Sequence, residues 1–193
     1  MRDEWFIRGK VPMTKSEVRA VSISRLELAP DSVLWDVGAG TGSVSVEASF
    51  LLPEGQVYAV EKNPQAVELI RRNREKFGRD NLTVVPGDAP GALGQLPDPT
   101  HVFLGGSGGW MGEILDLAMG RNPRVRVVIN TISLESLGEA VSWLERRKIS
   151  GEIVSLQTAR GRRAGRYHLM EGQNPVYVIA FGGEESPWAE EFS

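Results

Sequence analysis

Apolar positions along the chain alternate between two spacings. Short, nearly unbroken apolar runs occur at Ser32–Val37, Gln56–Glu61, Leu82–Pro86, Val102–Leu104, Val125–Asn130, Ile153–Thr158 and Val176–Phe181. Runs of this length, bounded by turn residues, read as strands buried on both faces. Between them the spacing changes to that of a helix. Ser43–Leu52 is one such segment, and Asn63-Pro64 opens the next with a cap and a proline at the first helical position. There Ala66, Val67, Ile70 and Phe77 make a stripe that stops at Gly78. Met111–Met119 is a third, and Ser133 caps a fourth that carries Leu134, Leu137, Val141 and Leu144. Ahead of the first strand, Thr14 and Glu17 have the spacing of a capping box. They predict a helix from Thr14, with Val18, Val21 and Leu26–Leu28 facing a core and Ala29-Pro30-Asp31 ending it.

Repeated strand–helix units predict an α/β domain with a doubly wound, mostly parallel seven-stranded sheet and right-handed crossovers. The segment Ala159–Asn174 between the last two strands is rich in Arg and Gly and has no helical period. The last strand is therefore expected to return antiparallel. Residues 1–183, including the N-terminal segment and first helix (1–30), read as a single domain. The acidic residues 184–193 read as a loose tail.

Composition narrows the chemistry. With 41 % hydrophobic and 24 % charged residues, the 193-residue chain is globular. It has no cysteine, which removes disulfides, thiolate metal sites and a cysteine nucleophile. Only His101 and His168 are present, so no metal site is expected and a Ser-His-Asp triad has few ways to form. A net charge of −3 argues against nucleic-acid binding through bulk electrostatics. No apolar run is long enough to span a bilayer, and Met1-Arg2-Asp3-Glu4-Trp5 lacks the apolar core of an export signal. A cytoplasmic protein without membrane or nucleic-acid partners is expected.

The most informative stretch is Trp35-Asp36-Val37-Gly38-Ala39-Gly40-Thr41-Gly42-Ser43. An acid near the end of a buried strand is followed by three glycines at alternate positions. Glycine suits a sharp backbone turn against which a ligand lies, and the next helix aims its N–H groups into the same crevice. A dinucleotide fingerprint would want its third glycine at position 43, which is serine. A pyrophosphate also disfavours a nearby anion, whereas the amino group of S-adenosylmethionine favours one. Asp36 therefore points to the methyl donor, and the pattern to a Rossmann-like class I methyltransferase fold. Glu61 ends the second strand nineteen residues past Gly42, where a carboxylate reaches ribose hydroxyls. Asp88 and Ala89 follow the third strand and are placed to hold an adenine edge.

The acceptor is less constrained. Asn174-Pro175-Val176-Tyr177 reads as turn residues entering a strand and not as an amino-group methylation motif. Gly105, Gly106, Ser107, Gly108 and Gly109, before Trp110, either let a planar substrate approach the backbone or form a simple loop. Arg160, Arg162, Arg163 and Arg166 form either a local anion site or a solvated basic face. Tyr167 and His168 lie beside these arginines as candidates to move a proton, with structural roles equally open.

Several strings together resemble one family. They are Phe6–Lys15, Asp36–Gly42, Gly87-Asp88-Ala89-Pro90, Gly105–Gly109 and Ala159-Arg160-Gly161-Arg162. From about Asp3 to Gly182 the chain is similar to the decarboxylating precorrin methyltransferases of cobalamin biosynthesis. The resemblance implies methylation of carbon 15 of cobalt-precorrin-6B or precorrin-6B, loss of carbon dioxide from the ring C acetate, and a homotetramer. It implies that Thr14, Gly38, Ala39, Gly40, Thr41, Gly42, Glu61 and Ala89 line the S-adenosylmethionine site. It also implies that Arg160, Arg162 and the Gly105–Gly109 loop meet the tetrapyrrole. An RNA or protein methyltransferase whose Arg segment grips phosphates is the alternative, and a cofactor-binding module without catalysis is a third possibility.

Overall fold

The computed structural model describes residues 1–183. The expected loose tail at 184–193 lies outside the described residues. The elements run α1 (Ser16–Leu26), β1 (Val33–Val37), α2 (Ser43–Ser49), β2 (Gln56–Glu61), α3 (Pro64–Lys76), β3 (Leu82–Pro86), β4 (His101–Leu104), α4 (Met111–Arg121), β5 (Arg126–Thr131), α5 (Leu134–Arg147), β6 (Glu152–Leu156), β7 (Ala159–Ala164), β8 (Tyr167–Gly172) and β9 (Val176–Phe181).

Seven strands form one sheet in the order β3-β2-β1-β4-β5-β9-β6. The pairs among β1 to β5 are parallel, and β9 runs antiparallel to both β5 and β6. Both the strand number and the antiparallel return agree with the sequence. The segment 159–174, in which no element was expected beyond the absence of a helical period, forms a separate antiparallel hairpin of β7 and β8. Its turn is Gly165, in the left-handed region at φ +63°. Alternation does not reveal this hairpin, because nearly every residue on it is exposed and no face is apolar.

Both sheet faces are covered. Alternate residues of a strand point to opposite sides. Leu34 and Phe103 join one core with Ile23 and Leu26 of α1, Val44 and Val46 of α2 and Ile70 of α3. Trp35, Val37, Val102 and Leu104 join the other with Ile114 and Leu115 of α4 and Trp143 of α5. This two-sided burial makes the strands continuous apolar runs. Trp35 is wholly buried, and its indole N–H donates to the Pro97 carbonyl at 3.0 Å.

The first helix corrects the capping reading. It begins at Ser16 with Lys15 as its cap, and no side chain caps it. Glu17 does not reach back, because its carboxylate is held by Arg160. The Thr14 carbonyl accepts from Arg19 Nη1 at 2.6 Å. The helix ends at Leu26 through Glu27 in the left-handed conformation, before the Ala-Pro-Asp string. The N-terminal segment, which shows no period, is nonetheless fixed. Ile7 N–H donates to Asn73 Oδ1 at 2.7 Å, and Asn73 Nδ2 donates to the carbonyls of Ile7 and Thr41. One buried amide on α3 thus ties this segment to the glycine turn.

Candidate active site

The strand order reverses at β1, where the chain returns from β3 to β4. Parallel sheets open a crevice at such a switch point, beyond the carboxyl ends of the strands. A cleft of about 660 Å³ lies there, within the size range of small-molecule sites.

Its floor is the turn between β1 and α2. Gly38, Gly40 and Gly42 all have positive φ, at +70°, +59° and +74°. A β-carbon on Gly38 would sit 2.5 Å from the Gly106 carbonyl oxygen, so the two glycine loops pack backbone to backbone. At Gly40 it would meet the Pro12 carbonyl at 3.1 Å, and at Gly42 the side chain of Ile70 at 3.0 Å. The glycines therefore serve three purposes: apposition of the β4 loop, apposition of the N-terminal strap (residues 11–15), and packing on α3.

Glu61 spans the tips of two strands. Its Oε2 accepts from Gly40 N–H at 2.9 Å and its Oε1 from Asn63 N–H at 2.8 Å. Each oxygen keeps a further lone pair, and the residue lines the cleft. Asp88 also lines it, with Lys62 Nζ 3.4 Å from its carboxylate. With two carboxylates on its wall, the cleft suits hydroxyl and amino donors better than a pyrophosphate.

Asp36 is placed differently from the sequence picture. It is wholly buried and does not line the cleft. Its Oδ2 accepts from the Ser45 hydroxyl, and its Oδ1 is buried without a partner among the described residues. Burial pushes this carboxyl up to about 7, with the charge of Glu61 acting in the same direction and the Ser45 hydrogen bond opposing it. Thr41 and Gly42 likewise lie behind the cleft wall.

Of the expected cofactor residues, the cleft gathers Thr14, Gly38, Ala39, Gly40, Glu61, Asp88 and Ala89. Of the expected acceptor residues it gathers Gly105, Gly106, Ser107 and Gly108, but not Gly109. Gly106 faces open space, with nothing within 4 Å of where a side chain would begin. The hairpin residues do not line it. Arg160 Nε and Nη2 are engaged with Glu17, Ser16 and Asp3. Arg162 is exposed and lies 3.6 Å from Glu171. Tyr167 is exposed beneath the Arg166 guanidinium, 4.9 Å from its ring centre, and His168 is exposed beside it.

Several cleft residues lie outside the expected site set. Val11, Pro12 and Met13 wall one side, and Asn130 and Ile132 at the tip of β5 wall another. Thr158 and Gln173, at the base of the hairpin, and Asn174 complete the rim. Asn174 belongs to the Asn-Pro string read as a turn, which does lead into β9. Only the strap had a signal, in its place within the Phe6–Lys15 string.

A seven-stranded sheet with one antiparallel strand, a glycine turn after β1 and an acid ending β2 define a Rossmann-like class I methyltransferase domain. More narrowly, the chain belongs to the precorrin methyltransferase domain family, whose model matches residues 4–181. A cobalt-precorrin-6B C(15)-methyltransferase (decarboxylating) of Salmonella typhimurium is 43 % identical over 189 residues, covering 96 % of this chain and 97 % of that protein. The crystal structure of a precorrin-6Y C5,15-methyltransferase from Geobacter metallireducens superposes with a TM-score of 0.88 at 43 % identity, covering 94 % of this chain and 97 % of that one. A precorrin 8W decarboxylase from Methanobacterium thermoautotrophicum superposes with the same TM-score at 36 % identity, covering 94 % of this chain and 99 % of that one.

Proposed function

We propose that this chain transfers the methyl group of S-adenosylmethionine to carbon 15 of a corrin precursor, cobalt-precorrin-6B or precorrin-6B, with decarboxylation of the ring C acetate, in cobalamin biosynthesis. The observation that carries the reading is the cleft itself. Bare main chain at Gly38 and Gly40 faces the Glu61 and Asp88 carboxylates, in a chain of the precorrin methyltransferase family.

The residues fit the donor. Glu61 has lone pairs to accept from ribose hydroxyls, and Asp88 with the Ala89 backbone suits an adenine edge. Thr14 on the strap and Gly38, Ala39 and Gly40 form its bed, with Thr41 and Gly42 behind them and Asp36 beneath fixing the turn through Ser45. When bound, the donor supplies a sulfonium-activated methyl group. The protein then has to hold carbon, methyl and sulfur in line and keep water away, so proximity is its main contribution. The meso carbon of a partly reduced tetrapyrrole is already nucleophilic, and the macrocycle is its own electron sink for loss of carbon dioxide. The Gly105–Gly108 loop, open at Gly106, gives such a flat ring room to approach.

The reading places the enzyme in the cytoplasm, in keeping with a chain free of cysteine. Among the described residues no helix is long and apolar enough to cross a membrane. It also includes a homotetramer. Support for assembly comes from the free-standing hairpin, which exposes Tyr167, Leu169 and Met170. Arg162 on the same hairpin is open to carboxylates of the substrate or of a second copy.

Incubation with labelled donor and either corrin precursor or RNA tests the reading. The expected product is a tetrapyrrole that has gained one methyl group and lost one carbon dioxide by mass spectrometry. Label in RNA, with none in the tetrapyrrole, would overturn it.

A further inference from the structure

The side chain of Arg160 joins the hairpin to the N-terminal segment and the start of α1. Arg160, the second residue of β7, donates from Nε to Glu17 Oε1 at 3.1 Å and from Nη2 to Glu17 Oε2 at 2.5 Å. The same Nη2 donates to Asp3 Oδ2 at 2.8 Å and to the Ser16 hydroxyl at 3.1 Å. Asp3 is buried, and its other oxygen accepts from Arg19 Nη1 at 3.2 Å. Arg19 is wholly buried. It donates in turn to the Thr14 carbonyl at 2.6 Å and to Glu47 at 2.6 Å.

A continuous path therefore runs Arg160, Asp3, Arg19, Thr14. At one end Thr14 and Pro12 wall the cleft, and the Pro12 carbonyl lies against Gly40. At the other end Thr158 and Gln173 line the cleft and close the hairpin base, Gln173 N–H donating to the Thr158 carbonyl at 2.9 Å. The planar fork of Arg160 meets Glu17 with two parallel bonds, a geometry lysine does not reproduce. Arg162, two residues further along the strand, has no such set of partners among the described residues: it lies 3.6 Å from Glu171, with both side chains exposed. The contact is therefore specific to the base of the hairpin.

We infer that Arg160 is a positioning residue that latches the hairpin to the N-terminal strap, so that the two sides of the cleft are set as one unit. The inference rests on the reading that the methyl donor lies on the glycine turn. With the latch closed, the strap is held over that turn. With the latch open, Asp3 keeps only Arg19, the segment loosens, and the wall above Gly40 is no longer fixed. The cost of leaving a buried carboxylate half-compensated holds the latch shut.

Hydrogen exchange on the full chain, followed by mass spectrometry, tests this together with calorimetry using S-adenosylhomocysteine. In Arg160→Gln, the amides of Val11 and Met13–Lys15 are expected to exchange about tenfold faster while β1 and β4 keep wild-type protection. The affinity for S-adenosylhomocysteine is expected to fall about fivefold. Arg160→Lys should lie between, and Glu17→Gln, on the exposed side of α1, should shift the strap in the same direction. Arg163→Ala, which removes a neighbouring charge outside the network, should change neither readout. Wild-type exchange at the strap in Arg160→Gln overturns the latch. Equal loss of protection in β1 and β4 also overturns it, since Arg160 would then only support the fold. If the wild-type chain fails to bind S-adenosylhomocysteine, the donor reading falls, while the exchange comparison still decides the latch.

Discussion

The carboxylate of Glu61 accepts the backbone N–H of Gly40 at 2.9 Å, joining the end of β2 to the middle of the glycine turn after β1. An acid expected only to face ribose therefore also builds the surface on which a nucleoside would lie. The two tasks use different lone pairs of the same group.

Replacing Glu61 separates them. Glu61→Gln keeps the shape but turns one acceptor into a donor, so either Gly40 or Asn63 loses its partner. Affinity for S-adenosylhomocysteine is expected to fall about tenfold, the worth of one charge-assisted hydrogen bond, with the melting temperature little changed. Unchanged calorimetric affinity would remove Glu61 from the site.

The two glycine loops should respond oppositely to the same substitution. Gly38→Ala puts a methyl 2.5 Å from the Gly106 carbonyl at a positive φ. It is expected to cost about 3 kcal/mol of stability, read in denaturant unfolding. Gly106→Ala meets nothing within 4 Å. It should leave stability intact while raising KM for the tetrapyrrole, because the methyl projects where the ring would approach. A stable Gly38→Ala protein would contradict the backbone packing described.

Gly40→Val should act through the strap. The side chain points at the Pro12 carbonyl, so it displaces residues 11–13 and does not simply fill the donor's place. Loss of S-adenosylhomocysteine binding is expected together with faster proteolysis near Pro12. Lost binding with an unaltered cleavage pattern would show that the strap stays put.

Asp36 makes stability depend on pH in a defined direction. Its carboxyl is pushed up to about 7 in the folded protein from an ordinary value of 3.8. Between these values the folded state holds a proton that the unfolded chain has released. The contribution of this group is thus fully present below about pH 4 and is lost as pH rises through about 7. Asp36→Asn carries no such proton. The wild-type melting temperature, taken relative to the variant, should fall between these two pH values, and a constant difference would contradict the neutral buried acid.

Arg19→Met should be strongly destabilising, by about 3 kcal/mol, since it leaves buried Asp3 to Arg160 alone and part-buried Glu47 to the N-terminal ammonium alone. The double variant Arg19→Met with Asp3→Asn should recover part of that loss. No recovery would mean that the two residues contribute independently.

Much of the sheet was legible because its strands are buried on both faces. Trp35 and Phe103 belong to opposite cores, yet each sits in a nearly unbroken apolar run, and that run is visible without coordinates. The glycine turn was legible for a related reason: three alternating glycines after a buried acid have few other uses. The hairpin was not legible, since β8 is exposed throughout and packs on nothing that would impose a pattern. The N-terminal segment was invisible to periodicity because Asn73 holds Ile7, and Arg19 holds Thr14 of the strap, through carbonyls and N–H groups, which every residue has.

The sequence by itself determined the layers, the seven strands of the main sheet, the antiparallel return and the place of the crevice. Each follows from local period and from glycine's freedom at single positions. The tertiary structure alone decided where the charges act. It put Asp36 under the turn instead of in the cleft, and it gave Arg160 to Asp3, 157 residues away. It made Thr14 a carbonyl partner of Arg19 and not a helix cap. A charged side chain takes whichever partner folding brings within reach, and its place in the chain does not record that choice.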